Sequence, residues 1–338
     1  MRRLLLPMLA ALLLPASASA LAQTARLDAP RPLPQREKVI VGTPGKLKQN
    51  ASLLLAKVFG EFEKENLDVE FSIHKPSDSM VLLSTGRIDA VVTQASAAFF
   101  NAVASGVMMK QVAPIGFFGP KNGIWVSRAW LKDRPWNPAL LKGQVVASTV
   151  GNGTLTAYVL RTELAKVGLT LNDITWKSLP ISDIMMALEN GAINIAVLLD
   201  PVWMKVDPSK AVFAFPYTPD VTGSYFFGPN LLVKNRAVGE AFVRALVRTQ
   251  RTYLQGDYAN NPRVAAALAK ELDLTEEQVR ASGGSIRFPY DMAMREDAAE
   301  ILQNTYLSTP GILTYTKHLP DEAVMDRSFL RAVGAGGQ

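Results

Sequence analysis

The chain contains no cysteine, which excludes disulfide frameworks, thiolate zinc sites, iron–sulfur clusters and cysteine nucleophiles. Histidine is scarce too. His74 and His318 stand far apart without local ligand spacing, which argues against a histidine-rich metal centre. No hydrophobic run approaches the ~20 residues that span a bilayer as a helix. No segment gathers Lys, Arg and aromatics into a nucleic-acid-reading motif. Neither the phosphate loop G-x-x-x-x-G-K-[ST] nor a G-x-G-x-x-G fingerprint occurs. What remains in 338 residues, 48% hydrophobic and 20% charged, is globular composition with apolar material for one or two cores. Its chemistry must rest on hydroxyls, amides, backbone donors, aromatics, Lys/Arg and Asp/Glu.

Arg2 and Arg3 precede an apolar run from Leu4 to Leu14, and small residues follow Pro15 up to Ala20. This order reads as a secretory signal peptide over residues 1–22. Cleavage after Ala20 and cleavage after Ala22 fit an A-x-A pattern equally well. With no cysteine to carry a lipid, the expected product is periplasmic and free of a lipid anchor. Without the two arginines, 34 Lys and Arg face 30 Asp and Glu, a mild basic excess. Residues 23–38, with Pro30, Pro32 and Pro34, read as an extended linker before the fold.

The body reads as a repeat. Val39-Ile-Val-Gly42 and Val145-Val-Ala-Ser148 are short apolar strands that run into turns, 106 residues apart. Leu83-Ser-Thr-Gly86-Arg-Ile88-Asp89 matches Leu188-Glu-Asn-Gly191-Ala-Ile193-Asn194 at 105. Each copy reads as helix, glycine C-cap, then a buried parallel strand at Ala90 to Thr93 or Ile195 to Leu198. Helices are expected at Ser52 to Phe59 and Thr154 to Val167, and strands at Asp68 to Ile73 and Ile174 to Ser178. The alternation predicts an α/β fold of two doubly wound lobes. After Phe226 the tail turns helical, over Ala237 to Leu254, from Pro262, and behind a Thr275/Gln278 capping box. Lobe 1 is expected over 39–124 and 228–338, lobe 2 over 125–227, joined by a hinge of two crossings.

Ligands of open α/β sheets sit beyond the carboxyl ends of the strands, where helix N-termini present N–H groups. Thr43 to Asn50 offers Gly45, Lys46, Lys48 and Gln49, and its two lysines favour an anion, though the loop also reads as a plain turn. Gln94 and Ser96 follow a buried strand; Ser96 reads equally as a helix cap. Val150-Gly-Asn-Gly-Thr154 brings Asn152, Gly153 and Thr154 to a helix start, where an ordinary strand-to-helix turn is the alternative. Asp200 and Trp203 follow the second copy's buried strand, and Tyr225 lies in the return crossing; both aromatics read as cleft wall or as core. His74 reads as a surface residue, and the Arg244, Arg248, Arg251 stripe as a solvated helix face.

These residues resemble a known family, the periplasmic substrate-binding proteins of ABC importers for nitrate, sulfonate and taurine, a branch that includes pyrimidine-precursor binders. The resemblance is carried by Leu53-Leu-Leu-Ala-Lys57, Gly60-Glu-Phe-Glu-Lys-Glu65, Leu67-Asp-Val-Glu-Phe71, Leu83 to Asp89, Gly151-Asn-Gly-Thr154 and Asp200-Pro201. It implies a type II periplasmic-binding-protein fold that traps ligand between its lobes and is read by an ABC permease and ATPase complex. The loops at Gly45, Lys46 and Gln49, at Gln94 to Ser96, at Asn152 to Thr154, and at Asp200 and Trp203 match the family's ligand-contacting loops. Leu199-Asp200-Pro201 stands where the family often has Trp-Glu-Pro. The expected function is that of a monomeric binding protein, with no catalysis, cofactor or nucleic-acid partner, for a small organic anion, an organosulfonate first. A pyrimidine-like or aromatic carboxylate ligand is the alternative, followed by a ligand-presenting sensor and an enzyme of the related pyrimidine-synthesis branch, whose chemistry needs histidine and iron ligands.

Overall fold

A computed structural model describes residues 27–120, 122–149, 151–217 and 219–337; the expected leader, residues 1–22, lies outside them. Strands β1 (Glu37–Thr43), β2 (Leu67–Ile73) and β3 (Ala90–Thr93) run parallel, linked by helices α1 (Ala51–Val58) and α2 (Pro76–Ser84). Helix α3 (Ala97–Ala104) leads to β4 (Lys110–Pro114) and the two-residue β5 (Phe117–Phe118). The chain then enters a second sheet at β6 (Gly123–Ser127). There β7 (Val145–Ser148), α4 (Leu155–Ala165), β8 (Thr175–Ser178), α5 (Ile181–Glu189), β9 (Ile195–Leu198) and β10 (Ala211–Pro216) follow. The return strand β11 (Ser224–Phe227) inserts antiparallel between β3 and β4 of the first sheet.

The sheets have one plan, β2-β1-β3-β11-β4 and β8-β7-β9-β6-β10, each with a single antiparallel strand delivered by a crossing. The expected doubly wound α/β lobes are therefore present. Val41 pairs with Phe71 and Ala90 as Val146 pairs with Trp176 and Ile195, a uniform offset of 105. The spacing of 106 read from the first strands is one too long. Val-Ile-Val and Val-Val-Ala fit a buried strand at either register, and only the hydrogen-bonded partners decide. Gly86 and Gly191, at φ 70° and 77°, occupy the left-handed positions that end α2 and α5. Sheet membership also differs from the drawn boundary at 227/228, since Ser224–Phe227 complete the first sheet and Gly123 opens the second.

Helix α6 (Arg236–Tyr253) covers the outer face of the first sheet, where Phe242 stacks on Phe62 at 5.1 Å. Its Arg244, Arg248 and Arg251 are not solvated, which corrects the expectation from sequence. Arg244 pairs with Glu65 at 2.8 Å, Arg248 with Glu61 and Glu65 at 2.6 and 2.7 Å, and Arg251 with Asp28 at 2.6 Å. The described part of the 23–38 stretch is docked by the same row: Arg248 donates to Asp28 O, Arg244 to Arg31 O, and the Leu33 N–H to Glu65 O. Acceptors from residues 28–31 and 61–65, with Tyr290 O and Gly334 O, meet this row, which periodicity along one helix does not reveal.

Helices α7 (Pro262–Leu272) and α8 (Glu276–Ala281) follow, the latter behind the expected Thr275/Gln278 capping box. The short strand β12 (Ile286–Arg287) pairs with β5. Helix α9 (Ala298–Leu307) packs against α3 of the first lobe and α4 of the second, and the Tyr306 hydroxyl donates to Ala95 O at 2.6 Å. The two crossings, 115–122 and 217–223, are tightly seated. A Cβ on Gly119 would stand 2.1 Å from Gly284 O, and one on Gly223 2.4 Å from Thr93 O, so neither position has room for a side chain. Asn122, fully buried in the first crossing, accepts from the Asp200 N–H at 2.6 Å and donates to Ser285 O at 2.6 Å and Gly119 O at 3.2 Å.

Burial pushes the Glu61 carboxyl up, but hydrogen bonds and charge from Lys64 and Arg248 outweigh it and leave the group below its usual range. Such a carboxylate adds stability above its unfolded value, and this contribution disappears as pH falls through the lower folded value. Arg248→Ala, which takes its cation from the buried Glu61, should cost about 3–5 kcal/mol at pH 7 and less near pH 3 as Glu61 protonates; urea unfolding at both pH values checks this, and equal losses would contradict it. Asn122→Ala should cost about 1–3 kcal/mol in the same assay, because it leaves the Asp200 N–H without its acceptor, whereas Ser285 O and Gly119 O each keep a backbone donor.

Candidate functional site

A cavity of about 250 Å³ lies between the sheets, beyond the carboxyl ends of β1, β3, β7 and β9. The first lobe contributes Leu47 and Gln49 from the loop after β1, and Gln94 and Ser96 from the turn after β3. The second contributes Thr149, Thr154 and Thr156 around the start of α4, and Leu199 after β9. Ile115, Phe118 and Tyr217 from the crossings close the back. A second chamber of about 280 Å³ shares Leu47, Gln49, Phe118, Thr149, Thr156 and Leu199 with the first and extends to Lys48 and Asp200.

The structure thus brings Gln49, Gln94, Ser96 and Thr154 together around the first chamber and puts Asp200 on the second. Gly45 and Lys46 are on neither wall. The Thr43 hydroxyl donates to Gly45 O at 2.7 Å and folds the turn so that Pro44 and Leu47 face inward, while Lys46 pairs with Glu271 at 2.7 Å. Asn152 and Gly153 do not line the cavity either, and Val150 lies outside the described residues. Gly153 O instead accepts the Ala97 N–H at 3.0 Å, a hydrogen bond that links the lobes at the mouth of α3. Trp203 packs on the apolar cluster of Ile184, Leu188 and Leu198 in the second lobe. Tyr225 is wholly buried beneath α6, 6.2 Å from Phe242, because alternation along β11 turns Tyr225 and Phe227 to that side and Phe226 to the other.

Ser96 and Thr154 occupy the N-cap positions of α3 and α4, yet neither side chain caps its helix. The Thr154 hydroxyl donates to Gly151 O at 3.1 Å, and the Gly151 N–H donates to Ser148 Oγ at 2.9 Å, so the loop is braced from within. Gln94 Nε2 donates to Gln49 Oε1 at 3.1 Å, and Gln49 Nε2 to Gly116 O at 3.1 Å. Thr156 Oγ1 lies 3.4 Å from the Tyr217 hydroxyl. Burial drives the Tyr217 phenol far up in pKa, so it remains a protonated donor near neutrality. Among the described residues no charged side chain lines the first chamber, and α3 and α4 begin at its wall.

The sequence counts Lys48 with Lys46 as a charge that favours an anion and does not tell the two apart; the structure buries Lys48. It is 2% exposed and donates to Ser282 O at 2.8 Å, Ser282 Oγ at 2.6 Å and Ser285 Oγ at 3.2 Å. Its Nζ lies 3.9 Å from Asp200 Oδ2, which also accepts from the Ser285 hydroxyl. Phe118, Asn122 and Tyr217 had no local signal either, since their roles arise only where the crossings meet the C-terminal segment.

No family model matches the chain, and no curated protein sequence matches it. Solved structures do match. The alkanesulfonate-binding protein SsuA from Xanthomonas axonopodis pv. citri, bound to MOPS, is 19% identical over 86% of this chain and 99% of its own, with a TM-score of 0.66. The periplasmic nitrate-binding protein NrtA from Synechocystis PCC 6803 is 15% identical over 90% of this chain and 89% of its own, with a TM-score of 0.63. The desulfurization enzyme DSZB is 13% identical over 88% and 99%, with a TM-score of 0.60. At these identities the likeness is one of architecture: the chain has the two-lobed α/β fold of the periplasmic sulfonate- and nitrate-binding proteins, a fold that an enzyme also uses.

Proposed function

We propose that this chain is the periplasmic solute-binding component of an ABC importer, working as a monomer, exported through a cleaved signal peptide and presenting its loaded form to a permease and ATPase complex. Its ligand is a small organic anion, an organosulfonate in the first instance. The observation that carries this reading is the interlobe cavity itself, with the N-termini of α3 and α4 uncapped by side chains on one side and Leu47, Ile115, Phe118 and Leu199 on the other. Helix N-termini favour an anionic headgroup, and the apolar wall accepts a carbon skeleton that nitrate lacks. Ser96, Thr154, Gln49 and Gln94 supply the polar contacts. The two lobes, one built on each sheet, close around the crossings. A second reading, a pyrimidine-like or aromatic carboxylate ligand, is favoured by the Gln49–Gln94 amide pair beside Phe118 and Tyr217. Binding is preferred to turnover because no His, Asp, Glu or Lys lines the first chamber among the described residues.

A thermal-shift panel on the chain from Gln23 onward tests the reading with alkanesulfonates, taurine, nitrate, aromatic carboxylates and pyrimidines. A ligand at ~1,000 times its dissociation constant adds ~4 kcal/mol, a shift of several degrees. Stabilisation by a sulfonate is expected, and stabilisation by pyrimidines or apolar compounds alone would replace the anion by the second reading. Ser96→Ala should weaken the bound sulfonate about tenfold or more, the worth of one hydrogen bond to a charged group. It should change the stability of the empty protein by less than the ~1 kcal/mol of a capping hydroxyl. Calorimetric titration and urea unfolding read the two effects, and unchanged affinity would remove Ser96 from the site.

A further inference from the structure

We infer that Lys48 determines specificity: it is a tethered ammonium that fills the cation position beside Asp200 and thereby rejects ligands whose far end carries a positive charge. The inference rests on the proposed anion site and concerns the opposite end of the same ligand. Among the described residues, Lys48 and Asp200 are the only charged groups on the second chamber, whose other walls include Val197, Leu199, Val202 and Ile286. Both side chains are 1% exposed. Three bonds to Ser282 and Ser285 fix the ammonium, and the Asn122 bond to the Asp200 N–H fixes the loop that carries the carboxylate. The Ser285 hydroxyl accepts from Lys48 and donates to Asp200 Oδ2, so one serine couples the two charges.

A ligand with its anionic group at α3 and α4 directs its other end into this chamber. A neutral tail meets apolar side chains there. A ligand ammonium would shed its water beside a fixed ammonium and would find the carboxylate already engaged. Discrimination therefore comes from a built-in competitor rather than from shape alone.

The isosteric pair 1-propanesulfonate and 2-aminoethanesulfonate tests this by calorimetric titration of the mature protein. The wild type should bind propanesulfonate about tenfold or more tightly than its amino counterpart. Lys48→Ala, which vacates the cation position, should reverse that order, and the reversal should vanish in Lys48→Ala/Asp200→Asn. Lys48→Ser, which vacates the same position and keeps a hydroxyl there, serves if the alanine protein does not fold. Propylammonium alone should raise the melting temperature of Lys48→Ala and leave the wild type unmoved, a readout that needs no sulfonate. If that rescue occurs while no sulfonate binds, the cation position stands and the headgroup reading fails. Equal affinity of the wild type for the two sulfonates, or a folded Lys48 variant that gains nothing for ammonium ligands, overturns the inference.

Discussion

Asn122 has no contact with water, and four stretches of chain meet on it. Its side chain receives the Asp200 N–H from the second lobe and gives its own hydrogens to Gly119 O in the first crossing and Ser285 O in the C-terminal segment. Its backbone carbonyl takes the Tyr217 N–H of the second crossing at 2.7 Å. An amide suits this junction because it offers an acceptor and two donors on one rigid plane. From it follow the placement of Asp200 over the second chamber, the seat of Ser285 against Lys48, and the close spacing of the two crossings. The charged wall of the second chamber, Lys48 with Asp200, thus owes its position to this junction rather than to either sheet alone.

The lobes are joined by more than their crossings. One buried apolar cluster runs from Leu55 and Phe99 of the first lobe, through Phe118, Tyr217 and Tyr306, to Leu155 and Val197 of the second. Helix α9 is part of it, hydrogen-bonded to Ala95 O on one side and packed on α4 on the other. At the cleft mouth the Ala97 N–H finds its acceptor, Gly153 O, only in the opposite lobe. Separating the lobes would return these groups to water, so the arrangement is held by apolar burial behind the cavity and by polar pairing in front of it.

The elements were readable where a residue type has one local meaning. Gly86 and Gly191 ended helices because only glycine takes the left-handed turn without strain, and Thr275 with Gln278 opened one because the pair satisfies two backbone donors. The buried strands at Ala90–Thr93 and Ile195–Leu198 emerged at the expected bounds. The site was less accessible. Gln49, Gln94, Ser96 and Thr154 reach the first chamber because strand ends and helix starts place them there whatever lies opposite. Lys46 and Lys48 differ only in what faces them, Glu271 at the surface or Ser282 and Ser285 inside, and those partners lie more than two hundred residues away. Tyr225 and Trp203 were ambiguous for the same reason, since a large aromatic suits a wall or a core and the opposing element decides.

The placement of β11 bears on how the chain is made. Strands β3 and β4 are not neighbours in the finished sheet; the gap between them is filled by Ser224–Phe227, which are synthesised only after the whole of the second lobe. Until those residues arrive, the nascent first lobe holds two facing strand edges with unanswered N–H and carbonyl groups, and the apolar underside that α6 later covers is bare. The late strand that must find this slot reads Ser-Tyr-Phe-Phe, itself prone to pair with any open edge. The price of two lobes that share their strands is thus a long interval in which neither the vacancy nor its occupant is covered.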